Sequence, residues 1–307
     1  MNRFDPEETY KLEDLEKWDF SGTSLAVLGH PVRHSISPAM HNAAISELAQ
    51  SDPRFSSWRY FRFEIRPEEL IRALPLFHEK GFLGINLTVP HKEIVLEALE
   101  RIDPSAREIG AVNTLRRMDG SYEGFNTDGY GLSEGVRHSL KTDLKGNHIV
   151  ILGAGGAGRA AAVQSLRSGC RSLSIVNRNP ERLAKLLDNL HPIARELDIP
   201  LRGFAPRDPD FAVAEGAIVI NATSLGLNLE DPMPLPSESI PSAAILYDMI
   251  YNPKSTQLMQ LVTARGGKAA NGLSMLVHQG ARSLEIWSGT TVNAETMSRA
   301  AHKALND

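Results

Sequence analysis

The sequence predicts an α/β fold in two domains, and three observations lead there. Apolar strand-like runs alternate with helical segments between residues 24 and 102, the pattern of crossover units around a mostly parallel sheet. The stretch "GAGGAG" at 153–158 follows the strand-like "IVIL" and precedes an alanine-rich helical segment, as in a Rossmann-type, doubly wound dinucleotide-binding domain. A length of 307 residues also exceeds what one hydrophobic core usually organises.

Taken in order, Asp5 and Pro6 have the character of an N-cap and first helical residue, opening a short helix whose Leu12, Leu15 and Trp18 pack on the body. The strand "SLAVLG" (24–29) comes next, then a helix from "SPAMHNAAISELAQ" (37–50) and the strand "WRYFRFEI" (58–65). A helix from "RPEELIRAL" (66–74), the strand "FLGINLTV" (82–89) and a helix "KEIVLEALERI" (92–102) continue the alternation. "AVNTLRRMDGSYEGFNTD" (111–128) reads as a β-hairpin, with Asp119-Gly120 supplying the positive φ angles of a tight turn. A domain boundary falls near 126–131. Beyond it lie the strand "HIVILG" (148–153), the helix "GRAAAVQSLRSG" (158–169) and the strands "SLSIVNR" (172–178), "AIVINAT" (217–223) and "AILYDMI" (244–250). The segment "SMLVHQGARSLEIW" (274–287) repeats Leu276, Val277, Leu284 and Trp287 at helical spacing.

Composition excludes several function classes. With 23% charged residues, 42% apolar residues and a net charge of −4, there is no basic excess to attract nucleic acid or anionic lipid. The first residues are acidic and polar, unlike a signal peptide, and no apolar run approaches the roughly 18 residues of a membrane span. A cytoplasmic location is the expectation. One cysteine, Cys170, excludes an internal disulfide, and the ten histidines form no cluster with cysteine. His30 and His34 have i, i+4 spacing, but Pro31 puts a turn between them, so no metal is expected. Monomer and homodimer fit the composition equally.

In "GAGGAG", Gly153 makes the tight turn, Gly155 lets backbone approach a pyrophosphate, and Gly158 lets helix and strand pack closely. A diphosphate would sit on the amides at the helix start, around Ala154, Gly156 and Ala157. An NAD-specific site ends its second strand with a carboxylate for the ribose 2′-hydroxyl, whereas "NRNPER" offers Asn177, Arg178 and Arg182. Guanidinium groups there suit a 2′-phosphate, so the expected cofactor is NADP(H). Asn179 before Pro180 would also cap the next helix.

If the second half holds a nicotinamide cofactor, the first half must present the substrate. Three polar clusters stand at its strand ends: Ser35 and Ser37 in "HSISP", Thr88 and Lys92 in "NLTVPHKE", and Asn113 and Asp128 in "AVNTL" and "FNTDG". Hydroxyl, amide, ammonium and carboxylate groups together suit a small polyhydroxylated carboxylate. Each residue also has a structural reading. Ser37 before Pro38 is a good N-cap, Asn113 and Asp128 could satisfy turn backbone, and Lys92 could be a solvated surface lysine. Lysine is nevertheless an odd choice where a helix begins, because the helix dipole repels a cation there.

"GHPVRHSISP", "NLTVPHKE", "AVNTL", "FNTDG", "GAGGAG", "NRNPER", "INATSLG", "YDMIYNP" and "NGLSMLVHQG", in this order and spacing, resemble the shikimate dehydrogenases, which reduce 3-dehydroshikimate to shikimate with NADPH. The resemblance runs from about Leu25 to the last helix. It implies that Lys92 and Asp128 are the catalytic pair and that Ser35, Ser37, Thr88, Asn113, Tyr251 and Gln279 bind substrate. It further implies that residues 153–158 (Gly153, Ala154, Gly155, Gly156, Ala157 and Gly158), with Asn177, Arg178, Arg182, Met249 and Gly272, bind the nucleotide. The implied domains are 1–127 plus 273–307 for substrate and catalysis, with the C-terminal helix returning to the first domain, and 128–272 for NADP. An extension of about 22 residues before "TSLAVLG", and His91 where phenylalanine is also common, lie outside the shared pattern.

Hydride transfer to a ketone builds negative charge on its oxygen, so Lys92 can serve as cation and proton donor there. Particular residues oppose three rival readings. A quinate/shikimate dehydrogenase with looser choice is opposed by the serine pair and the arginine. A non-catalytic NADP-binding sensor would have no reason to keep both Lys92 and Asp128. Methylenetetrahydrofolate dehydrogenase shares a lysine and the two-domain plan but lacks "HSISP" and "NTDG".

Overall fold

The computed structural model describes residues 4–228 and 230–306, so the first three residues of the N-terminal extension lie outside the described residues. The chain divides into two compact units, one formed by the residues up to Thr127 together with those from Gln279 onward, the other by Asp128–His278.

The first unit contains strands β1 (Thr9–Tyr10), β2 (Ser24–Gly29), β3 (Arg59–Glu64), β4 (Gly84–Leu87), β5 (Arg101–Ile102), β6 (Thr114–Arg117) and β7 (Tyr122–Phe125). Its helices are α1 (Leu12–Glu16), α2 (Ser37–Ser51), α3 (Leu70–Glu79), α4 (His91–Ile94) and α5 (Pro104–Ile109). The seven strands lie in the order β1-β3-β2-β4-β6-β7-β5. All neighbours are parallel except β4 with β6 and β6 with β7. All six residues of β2 are buried, as a parallel strand covered on both faces requires. On β3 the pleat sends Phe61 and Phe63 into a cluster with Trp18, Phe77 and Phe82, leaving Tyr60, Arg62 and Glu64 for the opposite face.

Three local expectations need correction. Asp5 and Pro6 do not open a helix: the Asp5 carboxylate accepts the Glu7 amide in a turn, β1 then pairs in parallel with β3, and α1 starts only at Leu12. Leu12, Leu15 and Trp18 are buried as expected. The long helix over 92–102 is one turn, α4, followed by a 3-10 turn at Val95–Ala98. Ile102 is instead drawn into a strand pairing with Gly124, because Asp103 before Pro104 caps a new helix. In the hairpin, Gly120 takes a positive φ of 77°, and Asp119 does not.

The second unit has strands β8 (His148–Leu152), β9 (Ser172–Val176), β10 (Leu201–Phe204), β11 (Ile218–Asn221), β12 (Ile245–Asp248) and β13 (Lys268–Ala270). Helices α6 (Asp128–Leu140), α7 (Gly156–Arg167), α8 (Pro180–Glu196) and α9 (Gln257–Ala264) accompany them. The order is β10-β9-β8-β11-β12-β13, parallel throughout. The expected doubly wound sheet is therefore present. Helix α6 escapes a sequence reading because its glycines lower helix propensity. Packing explains one of them: a Cβ at Gly135 would lie 2.4 Å from the Tyr247 hydroxyl.

Helix α10 (Leu273–Ser288) starts in the second unit and ends in the first, where α11 (Ala294–Ala304) packs on α2. The Trp287 indole donates to the Leu115 carbonyl at 2.8 Å and lies over Gly84, where a Cβ would be 2.3 Å from the ring. The C-terminal segment thus returns to the first sheet. No helix among the described residues is long and apolar enough to cross a membrane.

Candidate active site

In the first unit, strand ends place the polar residues. Ser35 is half-buried and Ser37 buried, and Ser37 is the first residue of α2 rather than its N-cap, which is Ile36. The Ser37 amide donates to the Ser35 hydroxyl at 3.3 Å, so the two hydroxyls sit on one turn at the start of a 15-residue helix, a favourable place for an anion. Thr88 follows β4, its amide bonded to the Leu28 carbonyl, and Gly29 makes room for it: a Cβ there would meet the Thr88 methyl at 2.3 Å.

Asn113, Thr127 and Gln279 are joined directly. The Asn113 amide nitrogen donates to the Thr127 hydroxyl at 3.0 Å and to the Gln279 carbonyl oxygen at 3.3 Å, and its oxygen accepts the Thr127 backbone amide at 2.9 Å. Behind them lies a polar layer that sequence reasoning missed. The Asn86 side chain donates to the Thr114 and Ser283 hydroxyls and to the Asn113 carbonyl, and accepts from the Tyr60 phenol at 2.8 Å. Burial pushes that phenol well above its usual range, opposed by the nearby Ser37 side chain. The signal for Asn86 was its place as an amide within the apolar run "FLGINLTV"; a buried polar side chain needs partners.

Lys92 is half-buried on α4. Its carbonyl accepts the Val112 amide at 2.8 Å, and the preceding His91 is fully buried with Nε2 donating to the Ile65 carbonyl at 2.8 Å. Burial lowers the His91 pKa. With α4 only four residues long, the dipole opposing a lysine is small.

His41 supports the serines from below. It is fully buried and stacked on Tyr60 at 4.0 Å, and its Nδ1 donates to the Ser37 carbonyl at 2.9 Å, the tautomer that a carbonyl acceptor requires. Burial holds its pKa at about 4, below the ordinary 6.5, against the opposing pull of its backbone hydrogen bonds. Between those values the unfolded chain binds a proton that the folded one refuses. The stabilisation is therefore complete above pH 6.5 and is lost as pH falls through about 4, up to ~3 kcal/mol. Melting temperature is expected to drop across this window, and to drop less steeply in His41→Gln. Equal slopes for the two proteins would exclude His41 as the cause.

In the second unit, the glycine loop has the geometry its spacing predicts. Gly153 has φ 108°, a Cβ at Gly155 would meet nothing within 4 Å, and a Cβ at Gly158 would lie 2.2 Å from the Gly153 carbonyl oxygen. Asn177 accepts the Ala154 amide at 3.2 Å. The exposed Arg178 and Arg182 line a cavity of about 390 Å³ with Gly153, Gly155 and Thr223. Asn179 caps α8 through the Arg182 amide, as expected. The open face at Gly155, the first-turn amides of α7 and two guanidinium groups fit a phosphorylated dinucleotide. Gly272 is needed for close packing, since a Cβ there would lie 2.1 Å from the Met249 carbonyl oxygen.

Asn221 and Asp248, both fully buried at the ends of β11 and β12, organise two further loops. Asp248 accepts from Asn221, the Ile250 amide and the Thr256 hydroxyl, while Asn221 accepts from Thr223. Burial raises the Asp248 pKa. Tyr251, half-buried just beyond, has its phenol raised for the same reason. Asp128 is the buried first residue of α6 and follows Thr127 directly. Among the described residues no group of three or more His, Cys, Asp or Glu could hold a metal ion; His30 is instead 3.4 Å from Glu64.

Residues 27–115 match the shikimate dehydrogenase substrate binding domain, 135–224 match shikimate/quinate 5-dehydrogenase, and 272–302 match the shikimate 5'-dehydrogenase C-terminal domain. A shikimate dehydrogenase (NADP(+)) of Moorella thermoacetica is 38% identical over 284 residues, covering 92% of this chain and 93% of that relative. Among solved structures, a shikimate 5-dehydrogenase of Thermus thermophilus in complex with shikimate is 35% identical with a TM-score of 0.79, covering 93% of this chain and all of the other. A shikimate dehydrogenase in complex with NADP+ gives a TM-score of 0.81 at 33% identity, covering 93% of this chain and 96% of that one. The chain belongs to the shikimate dehydrogenase family.

Proposed function

We propose that this protein is a shikimate dehydrogenase that reversibly reduces 3-dehydroshikimate to shikimate with NADPH, serving the synthesis of chorismate and the aromatic amino acids. The observation that carries the reading is the directly bonded Asn113–Thr127–Gln279 cluster, an array of amide and hydroxyl groups suited to a polyhydroxylated ring. The serine pair on the first turn of α2 takes the substrate carboxylate, and Thr88, Asn113, Gln279 and Tyr251 fix its hydroxyls and ring. Lys92 donates a proton to the ketone oxygen as negative charge develops on it, with Asp128 as the other member of the catalytic pair. The dinucleotide, when bound, supplies the hydride. Residues 153–158, Asn177, Arg178, Arg182, Met249 and Gly272 hold it, and no carboxylate ends β9 to favour NAD.

The domain roles follow: 1–127 with 273–307 for substrate, 128–272 for NADP. The proposal includes a cytoplasmic location, which suits a lone, buried, unpaired Cys170, and a monomer or homodimer without nucleic acid. Initial rates at the nicotinamide absorbance band test the reading, with shikimate and quinate each offered with NADP⁺ and NAD⁺. Shikimate with NADP⁺ is expected to give the highest kcat/KM; no turnover of shikimate with either cofactor would refute it.

A further inference from the structure

The N-terminal extension is joined to the serine pair through one side chain. Arg62 lies on the face of β3 away from the aromatic cluster and is half-buried. Its Nε donates to the Thr9 hydroxyl at 2.8 Å, one terminal nitrogen to the Glu7 carbonyl at 2.6 Å, and the other to the Ser35 carbonyl at 2.9 Å. Two of the three contacts therefore belong to the extension and the third to the residue that opens the serine site.

The extension is itself firmly seated. Strand β1 adds to the sheet beside β3, Phe4 packs at a tilt on Trp18 with ring centroids 4.0 Å apart, and Tyr10 packs edge-on to Trp18 at 5.3 Å. The planar guanidinium thus has its direction set from one side, and it presents a donor to a peptide oxygen on the other. Pinning the Ser35 carbonyl restrains the 35–37 turn, in which the Ser37 amide already bonds the Ser35 hydroxyl. Its positive charge also favours an anion near those hydroxyls.

We propose that Arg62 is a positioning residue that holds the Ser35–Ser37 turn in shape for a carboxylate, with Glu7 and Thr9 of the extension holding Arg62. The kinetic part rests on the shikimate reading above; the conformational part does not. Burial lowers the Arg62 pKa and Glu7 opposes this, but a guanidinium stays charged in any case.

Two measurements on full-length Arg62→Met, Arg62→Lys and Thr9→Val test this. By hydrogen exchange in the protein without ligand, segment 33–37 should exchange roughly tenfold faster in Arg62→Met, less so in Arg62→Lys, with β2 and β4 unchanged, the scale of a lost charged hydrogen bond. In steady-state assays, KM for shikimate should rise roughly tenfold in Arg62→Met, with kcat and KM for NADP⁺ within about twofold and partial recovery in Arg62→Lys. Unchanged exchange at 33–37, or a rise spread evenly over the whole first unit, overturns the proposal, as does an unchanged KM for shikimate. A wild-type protein that does not turn over shikimate refutes the proposed function, while the exchange result still decides the role of Arg62. Should Arg62→Met fail to fold, Thr9→Val decides: it should raise exchange at 33–37 about two- to threefold, and no change there overturns the proposal.

Discussion

Replacing Lys92 with alanine is expected to lower kcat about 10²-fold or more while changing KM for shikimate much less, the pattern of a group that acts mainly in the transition state. The expectation follows from charge. Hydride transfer turns a neutral ketone oxygen into an alkoxide, and an ammonium placed there can both stabilise it and give it a proton. The surroundings should largely survive the change, because α4 is also held through its backbone and through His91. His91 anchors it to Ile65, and the Lys92 carbonyl keeps its bond from Val112. Melting temperature should therefore stay near that of the wild type. Lys92→Arg separates the two roles: a guanidinium keeps the positive charge but is a poor proton donor, so it should remain far slower than lysine. Steady-state rates at saturating shikimate and NADP⁺ are the measurement, and a kcat within twofold of wild type in Lys92→Ala would remove this residue from the chemistry.

Changing Arg178 and Arg182 together to glutamine should lower kcat/KM for NADP⁺ by roughly 10²-fold while leaving the slower reaction with NAD⁺ almost unaltered. Both side chains line the cavity beside Gly153 and Gly155. Their placement is not what helix stability would select. Arg182 stands in the first turn of α8, where its amide bonds the Asn179 cap and the dipole disfavours a cation. A bound 2′-phosphate would repay that arrangement through paired, charge-assisted hydrogen bonds. Because both guanidinium groups are exposed, the preference should weaken as salt is raised. Equal losses with the two cofactors would mean that the arginines support the loop without reading the phosphate.

The parts of the site legible in the sequence are those governed by a few consecutive residues. The three roles assigned to the glycines at 153, 155 and 158 recur in the structure as a positive φ, an open face and a contact too close for a side chain. Asn179 before Pro180 caps α8 for the same local reason. Lys92 could be singled out as a charge at odds with its setting, but the length of its helix could not be read. Past the one turn of α4 the chain goes on into a strand at Arg101–Ile102 that pairs with β7, a contact outside the segment itself.

The short edge strands β1, β10 and β13 were missed because two to four partly exposed residues carry little periodic signal. The polar layer behind Asn113 and Gln279 was hidden more deeply. Asn86 and Ser283 are 197 positions apart and meet only because Trp287 brings the end of α10 onto Gly84 and Leu115. Arg62 likewise could be read only as a charged residue in a strand until β1 was seen to pair beside it.

By itself, then, the sequence determined the class of fold, the glycine-rich turn between β8 and α7, the kind of cofactor and the polar side chains at the strand ends, since backbone sterics and side-chain chemistry act over a few residues. Tertiary structure decided which distant polar groups share hydrogen bonds and where a charged side chain is braced. Those contacts depend on which faces remain uncovered once the sheets have formed, and no short stretch of chain contains that information.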